Sequence, residues 1–156
     1  MIEDSLIKQT LDSAKTIAMV GASTSKEGEV VAKTRLKPSI IVIKYLQEFG
    51  YKVIPVNPFS EGKKVHGETI VGKLEDVSTP IDIVNVFRPS KEAPDIARQT
   101  AKIGAKTLWL QFGIQNTEAE NISNSAGITC IMNKCIKQEY QRLFLKSKPV
   151  FPVLLP

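Results

Sequence analysis

Five short clusters hold the side chains best suited to gripping a ligand: Gly21-Ala22-Ser23, Asn57-Pro58, Phe87-Arg88, Gln111-Phe112-Gly113 and Asn133-Lys134-Cys135. Each follows directly on a run of apolar, often β-branched residues. Gly21 lets an anion approach backbone N–H groups, and Ser23 adds a hydroxyl donor. Arg88 offers a planar fork of donors that matches phosphate. Phe87 can flank a base, while Asn57 and Gln111 can orient a ligand by hydrogen bonds. Together these are the groups of a nucleotide site. A plainer reading stands beside each: Gly21 as a tight turn, Phe87 as core, Arg88 as surface.

The remaining reactive residues are few. His66 is the single histidine and falls in an irregular stretch, where it reads as a loop residue with no catalytic task. One histidine and two cysteines do not make a four-ligand structural zinc site. Cys130 lies inside an apolar run and reads as buried and inert. Cys135 lies beside Lys134 at the start of a helix, a setting that lowers a thiol pKa; its plain reading is a small rim residue.

The elements that must position these clusters repeat one pattern: an apolar run, a helical stretch, a glycine, another apolar run. The runs 16–20, 52–56, 81–87, 106–110 and 128–132 read as strands. A leading helix is expected over Ile2–Ala14. A second helix opens on Pro38 and runs to about Phe49, with Val42, Tyr45, Leu46 and Phe49 on one face. Residues 59–80 read as irregular, with a short helix near Lys73–Asp76. Ser90 reads as the cap of a helix to Ile103, with Pro94 in its first turn. Thr117-Glu118-Ala119-Glu120 matches a capping box, and a last helix covers about Lys137–Leu145. Gly50, Gly104 and Gly127 stop three helices. Alternating strands and helices imply parallel pairing through right-handed crossovers. The expected fold is therefore α/β: a doubly wound, Rossmann-like, five-stranded parallel sheet flanked by helices. The expected division is a leading helix at 1–15, a nucleotide-binding domain at 16–147 and an apolar tail at 148–156.

In such a sheet, ligands bind outside the carboxyl ends of the strands. The five clusters lie at those ends, so the fold gathers them on one rim. The nucleotide is not read as NAD. Gly21-Ala-Ser-Thr-Ser-Lys26 keeps only the first glycine of G-x-G-x-x-G, and Asn57 stands where an acidic residue would hold the ribose. No G-x-x-x-x-G-K-[ST] loop is present either.

Composition narrows the class. The 156 residues fit one domain, and 42% hydrophobic with 24% charged is ordinary for a globular protein. The low cysteine count and the acidic start at Glu3-Asp4 point to a reducing, cytoplasmic setting and away from a secreted scaffold. The longest apolar run, Ile40–Ile43, is too short to span a membrane. The net charge of +5 favours an anionic partner mildly. Its clusters, Lys26, Lys33, Arg35 and Lys37, and Lys134 to Lys148, also read as solvated surface.

Several segments together carry a resemblance: Met19-Val-Gly-Ala-Ser23, Gly50-Tyr-Lys-Val-Ile-Pro-Val-Asn-Pro58, Asp82-Ile-Val-Asn-Val-Phe-Arg88, Trp109-Leu-Gln-Phe-Gly-Ile114, and Cys135 with Glu139-Tyr140. In this the chain resembles the small stand-alone CoA-binding proteins, similar to the CoA-binding domain of the succinyl-CoA ligase α subunit. The resemblance implies coenzyme A or an acyl-CoA as the ligand, bound along the strand ends. It assigns Gly21, Ala22 and Ser23 to the phosphates, with Arg35 and Lys37 neutralising them. Asn57, Pro58, Phe87 and Arg88 line the nucleotide end, and Gln111 and Gly113 follow the pantetheine. Cys135 is then placed to approach the CoA thiol. The family tends to carry Asp-Arg-Cys where this chain has Asn133-Lys134-Cys135.

A binding module is the first reading. A CoA-dependent hydrolase or transferase is the second and lacks an identifiable base. A nucleic-acid binder ranks third, since few aromatics are available to stack bases. A homodimer or protein partner remains open, with Val150–Leu155 as the candidate docking segment.

Overall fold

The computed structural model describes residues 2–23 and 37–145. Arg35, most of the loop 24–37 and the tail 148–156 lie outside the described residues.

The first helix, α1 (Asp4–Ser13), buries Ile7 and Leu11, four residues apart and so on one face. Strand β1 (Thr16–Val20) follows. Helix α2 (Pro38–Glu48) has its proline in the first turn, where the missing N–H breaks no helical bond. It leads to β2 (Lys52–Val56). A small antiparallel hairpin, β3 (Lys64–Val65) and β4 (Glu68–Thr69), comes next. Then come β5 (Ile83–Val86), α3 (Ala93–Lys102), β6 (Thr107–Leu110), α4 (Thr117–Ser125), β7 (Thr129–Ile131) and α5 (Ile136–Tyr140), which continues as a wider turn over Gln141–Leu145.

The strands β2-β1-β5-β6-β7 form one parallel sheet in that order. One register row crosses it: Pro55, Met19, Asn85, Trp109 and Ile131. On one face, Met19, Ile83 and Trp109 pack with residues of α1, α2 and α5. On the other, Ala18, Val84 and Leu108 pack with residues of α3 and α4. The sheet is thus covered on both faces, which is why its strands are mostly apolar. This is the doubly wound α/β fold that the alternating pattern implies. Among the described residues no helix is long and apolar enough to cross a membrane.

Polar groups fix the frame. Asp82 Oδ2 accepts from Lys15 N at 2.8 Å and Thr16 N at 3.0 Å, pinning the start of β1 beside β5. Arg142, in the turn that continues α5, joins it to α1, with Nη1 2.7 Å and Nη2 2.8 Å from the carboxylate oxygens of Asp4. On the outer side of β2, Val71 N donates to Pro55 O and Val71 O accepts from Asn57 N, both at 2.9 Å.

Five local expectations need correction. The first two strands keep their expected limits, and most other strand and helix limits contract by one to three residues; the third strand, for instance, is Ile83–Val86 rather than 81–87. The face of α2 that is buried holds Ile40, Val42, Ile43 and Leu46; Phe49 is exposed and packs on Tyr45 and Tyr140. Helix α4 is capped by Asn116, whose Oδ1 accepts from Ala119 N at 2.9 Å, so the role expected of Thr117 is filled one residue earlier. Ser90 does not cap α3. Its Oγ accepts from Gln115 N at 3.2 Å, and a single 3-10 turn, Ser90–Glu92, precedes the helix. The segment 59–80 is more ordered than expected, because His66 and Gly67 have positive φ of 47° and 83° and close a two-residue hairpin turn. His66 Nε2 lies 2.9 Å from Ile40 O, so the histidine fastens the hairpin to α2.

Candidate functional site

The sheet order reverses direction at β1, between β2 on one side and β5 on the other. There, at the carboxyl ends, a cleft of about 680 Å³ opens. Val20 and Gly21 end β1, Val56 to Phe59 end β2, and Arg88 follows β5; the turn Gly72–Glu75 and one side of α3 complete the walls. This is the place where open α/β sheets bind ligands, because the crossovers leave it in opposite directions and part the loops.

Gly21 has φ 90°, and a side-chain carbon there would lie 2.9 Å from Arg88 Cδ and 3.2 Å from the Phe87 carbonyl carbon. Only glycine lets β1 turn while the Arg88 stem passes across it. The loop is held from both sides. Gly21 N donates to Val56 O at 2.9 Å, Asn57 Nδ2 donates to Ala22 O at 2.8 Å, and Ser23 N donates to Ser39 Oγ at 3.0 Å. Asn57 also accepts from Phe59 N at 2.9 Å, forming a turn that sets Phe59 on the rim.

Arg88 is already engaged. Its Nε donates to Glu92 Oε1 at 3.0 Å and its Nη2 to Glu92 Oε2 at 2.8 Å. These bonds raise the Arg88 pKa further and hold the Glu92 carboxyl below its ordinary value. The guanidinium has five N–H donors, so this pairing leaves others for a ligand. Lys73, Lys91 and Lys102 add positive charge to the cleft, against Glu75 and Asp95. Lys102 Nζ lies 3.8 Å from Glu75 Oε2 at the surface, a weak pairing.

Of the residues singled out in the sequence, Gly21, Asn57, Pro58 and Arg88 line this cleft together. Lys37 is exposed immediately before α2. Phe87 is half-buried and packs against the core on the α1–α2–α5 face. Gln111, Gly113 and Cys135 belong to a second group beside β6 and β7. Gln111 is buried, and its Oε1 accepts from Ile136 N at 3.0 Å, tying β6 to the start of α5. Gly113 N donates to Asn133 Oδ1 at 2.6 Å, and Trp109 Nε1 to Lys134 O at 2.8 Å. Sequence reasoning missed Phe59, Lys73, Lys91 and Glu92. Glu92 stands four residues after Arg88, but Arg88 precedes the helix, so helical spacing gave no signal for the pair.

The two cysteines differ. Cys130 is buried, and burial pushes its thiol up to about 11. Cys135 is half-buried. Titration of the native protein at pH 8 with a charged thiol reagent is therefore expected to modify Cys135 first and Cys130 only after unfolding. Equal rates for both in the native state would contradict the burial described.

Over residues 15–141 the sequence matches the family described as CoA binding domain. Uncharacterized protein YneT of Bacillus subtilis (strain 168) is 37% identical over 131 residues, covering 84% of this chain and 89% of that protein. Among solved structures, cell-free ID.343 from Thermus thermophilus shares 35% identity over 92% of this chain and 100% of its own, with a TM-score of 0.80. A hypothetical protein from Pyrococcus horikoshii OT3 shares 34% identity over 91% of this chain and 92% of its own, also with a TM-score of 0.80. The match spans most of the sequence, all five strands of the parallel sheet included, and the chain belongs to the CoA-binding domain family.

Proposed function

We propose that this protein binds coenzyme A or an acyl-CoA in the cleft at the carboxyl ends of β1, β2 and β5. One observation carries the reading: Gly21, Asn57, Pro58 and Arg88, from three distant stretches of chain, line a single cleft at the point where the strand order reverses. The residues present suit the ligand. A diphosphate needs cationic donors; Arg88 with Lys73 and Lys91 gives them, and Gly21 leaves room for the Arg88 stem to reach the cleft. The family membership supports the same ligand. Coenzyme A brings a thiol that carries acyl groups as thioesters; the protein's part is to hold and orient it.

Calorimetric titration with CoA tests the reading, with NAD as control. Saturable binding to CoA but not NAD is expected, and Arg88→Ala should weaken it about tenfold or more, as loss of hydrogen bonds to a charged group does. Equal binding of NAD, or an Arg88→Ala protein that binds CoA as well as the wild type, would sink it. The same titrations with acyl-CoAs, followed for turnover, separate a binding module from an acyl-CoA hydrolase or transferase.

A further inference from the structure

Phe59 is the most exposed of the large apolar side chains among the described residues, at 82% of its surface. Leaving a phenylalanine in water forgoes the free energy of burying its ring. Its position is nevertheless fixed: Asn57 accepts from its N–H, and Asn57 is bound in turn to Ala22 O of the glycine loop. Most of the other aromatics among the described residues behave differently. Tyr45, Phe49, Tyr51, Tyr140 and Phe144 pack ring against ring beside α2 and α5. Phe112 is exposed too, at 73%, but lies outside the cleft lining. Phe59 lines the cleft and shares it with Gly21, Arg88 and Lys91.

A ring held open to water beside the Arg88, Lys73 and Lys91 cations fits a planar base joined to phosphates. We propose that Phe59 is the platform on which the adenine of the bound ligand stacks. This rests on the CoA reading and makes the nucleotide end of the molecule a determinant of its recognition. It moves the base-flanking role from Phe87, which packs into the core, to Phe59 on the rim.

The test compares wild type, Phe59→Ala and Phe59→Trp against CoA, ADP and 4′-phosphopantetheine by calorimetry. Phe59→Ala should weaken CoA and ADP on the order of tenfold, as loss of base–aromatic stacking does, and leave 4′-phosphopantetheine unchanged. Phe59→Trp should restore binding. Because the side chain is exposed, both variants should melt like the wild type. If the wild type binds CoA and Phe59→Ala binds it equally well, or if Phe59→Trp fails as alanine does, the platform is overturned while the CoA reading stands. If the wild type binds ADP through Phe59 but not CoA, the platform stands and the CoA reading falls. A wild type that binds neither overturns both.

Discussion

A Gly21→Ala protein is expected to lose about 1–3 kcal/mol of stability, the cost of holding a side chain in the left-handed backbone region. It is also expected to lose CoA binding at least as severely as Arg88→Ala. The added methyl meets two things at once. Arg88 Cδ at 2.9 Å is part of a flexible stem and can move, but only by leaving the geometry that pairs it with Glu92. The Phe87 carbonyl carbon at 3.2 Å is backbone, so relief there shifts the end of β5. Urea unfolding and CoA titration of the same sample read the two effects. Wild-type stability together with wild-type affinity would mean that Gly21 does not govern the approach of β1 to Arg88.

The second large effect lies in the core. Trp109→Ala should lower the unfolding free energy by about 3–5 kcal/mol, the usual range for emptying a buried tryptophan site. Trp109 is fully buried in the register row between Asn85 and Ile131. Its indole N–H also holds Lys134 O, which the substitution leaves without that donor. Domains are stable by only about 5–15 kcal/mol in all, so this loss is a large share. It is the only tryptophan in the chain, so unfolding must be followed by circular dichroism. A loss under about 1 kcal/mol would show that neighbouring side chains close the gap freely, against ordinary core behaviour.

Most of the fold was legible because it rests on long-range regularities. Apolar runs separated by helical stretches admit few arrangements, and the stop glycines Gly50, Gly104 and Gly127 all have positive φ as expected. Helix caps were less legible, since Asn116 and Thr117 are adjacent and both are good caps; only the contact with Ala119 N decides between them. The hairpin was missed although His66-Gly67 is a two-residue turn signal, because its strands are two residues each and too short to show alternation.

The site divides in the same way. Gly21, Asn57 and Arg88 could be found because strand ends converge wherever the sheet is parallel. Which ends share one cleft could not, since that depends on strand order: β6 and β7 lie beyond β5, and Gln111 there faces α5. Phe59 was passed over because a phenylalanine after Asn-Pro looks like any loop residue. Nothing in the sequence reveals that its ring stands in water. Nor does composition disclose that Glu92 already occupies part of the Arg88 fork.

The outer border of β2 offers a neighbouring strand little to pair with. Proline at position 55 has no N–H to offer a neighbouring strand, and Val71 already takes up the Pro55 carbonyl and the Asn57 N–H. At the opposite border β7 presents only three residues. A parallel sheet with open borders invites end-to-end growth into larger assemblies, and here both invitations are short. Growth of one continuous ladder from molecule to molecule is therefore disfavoured at these two borders of the main sheet.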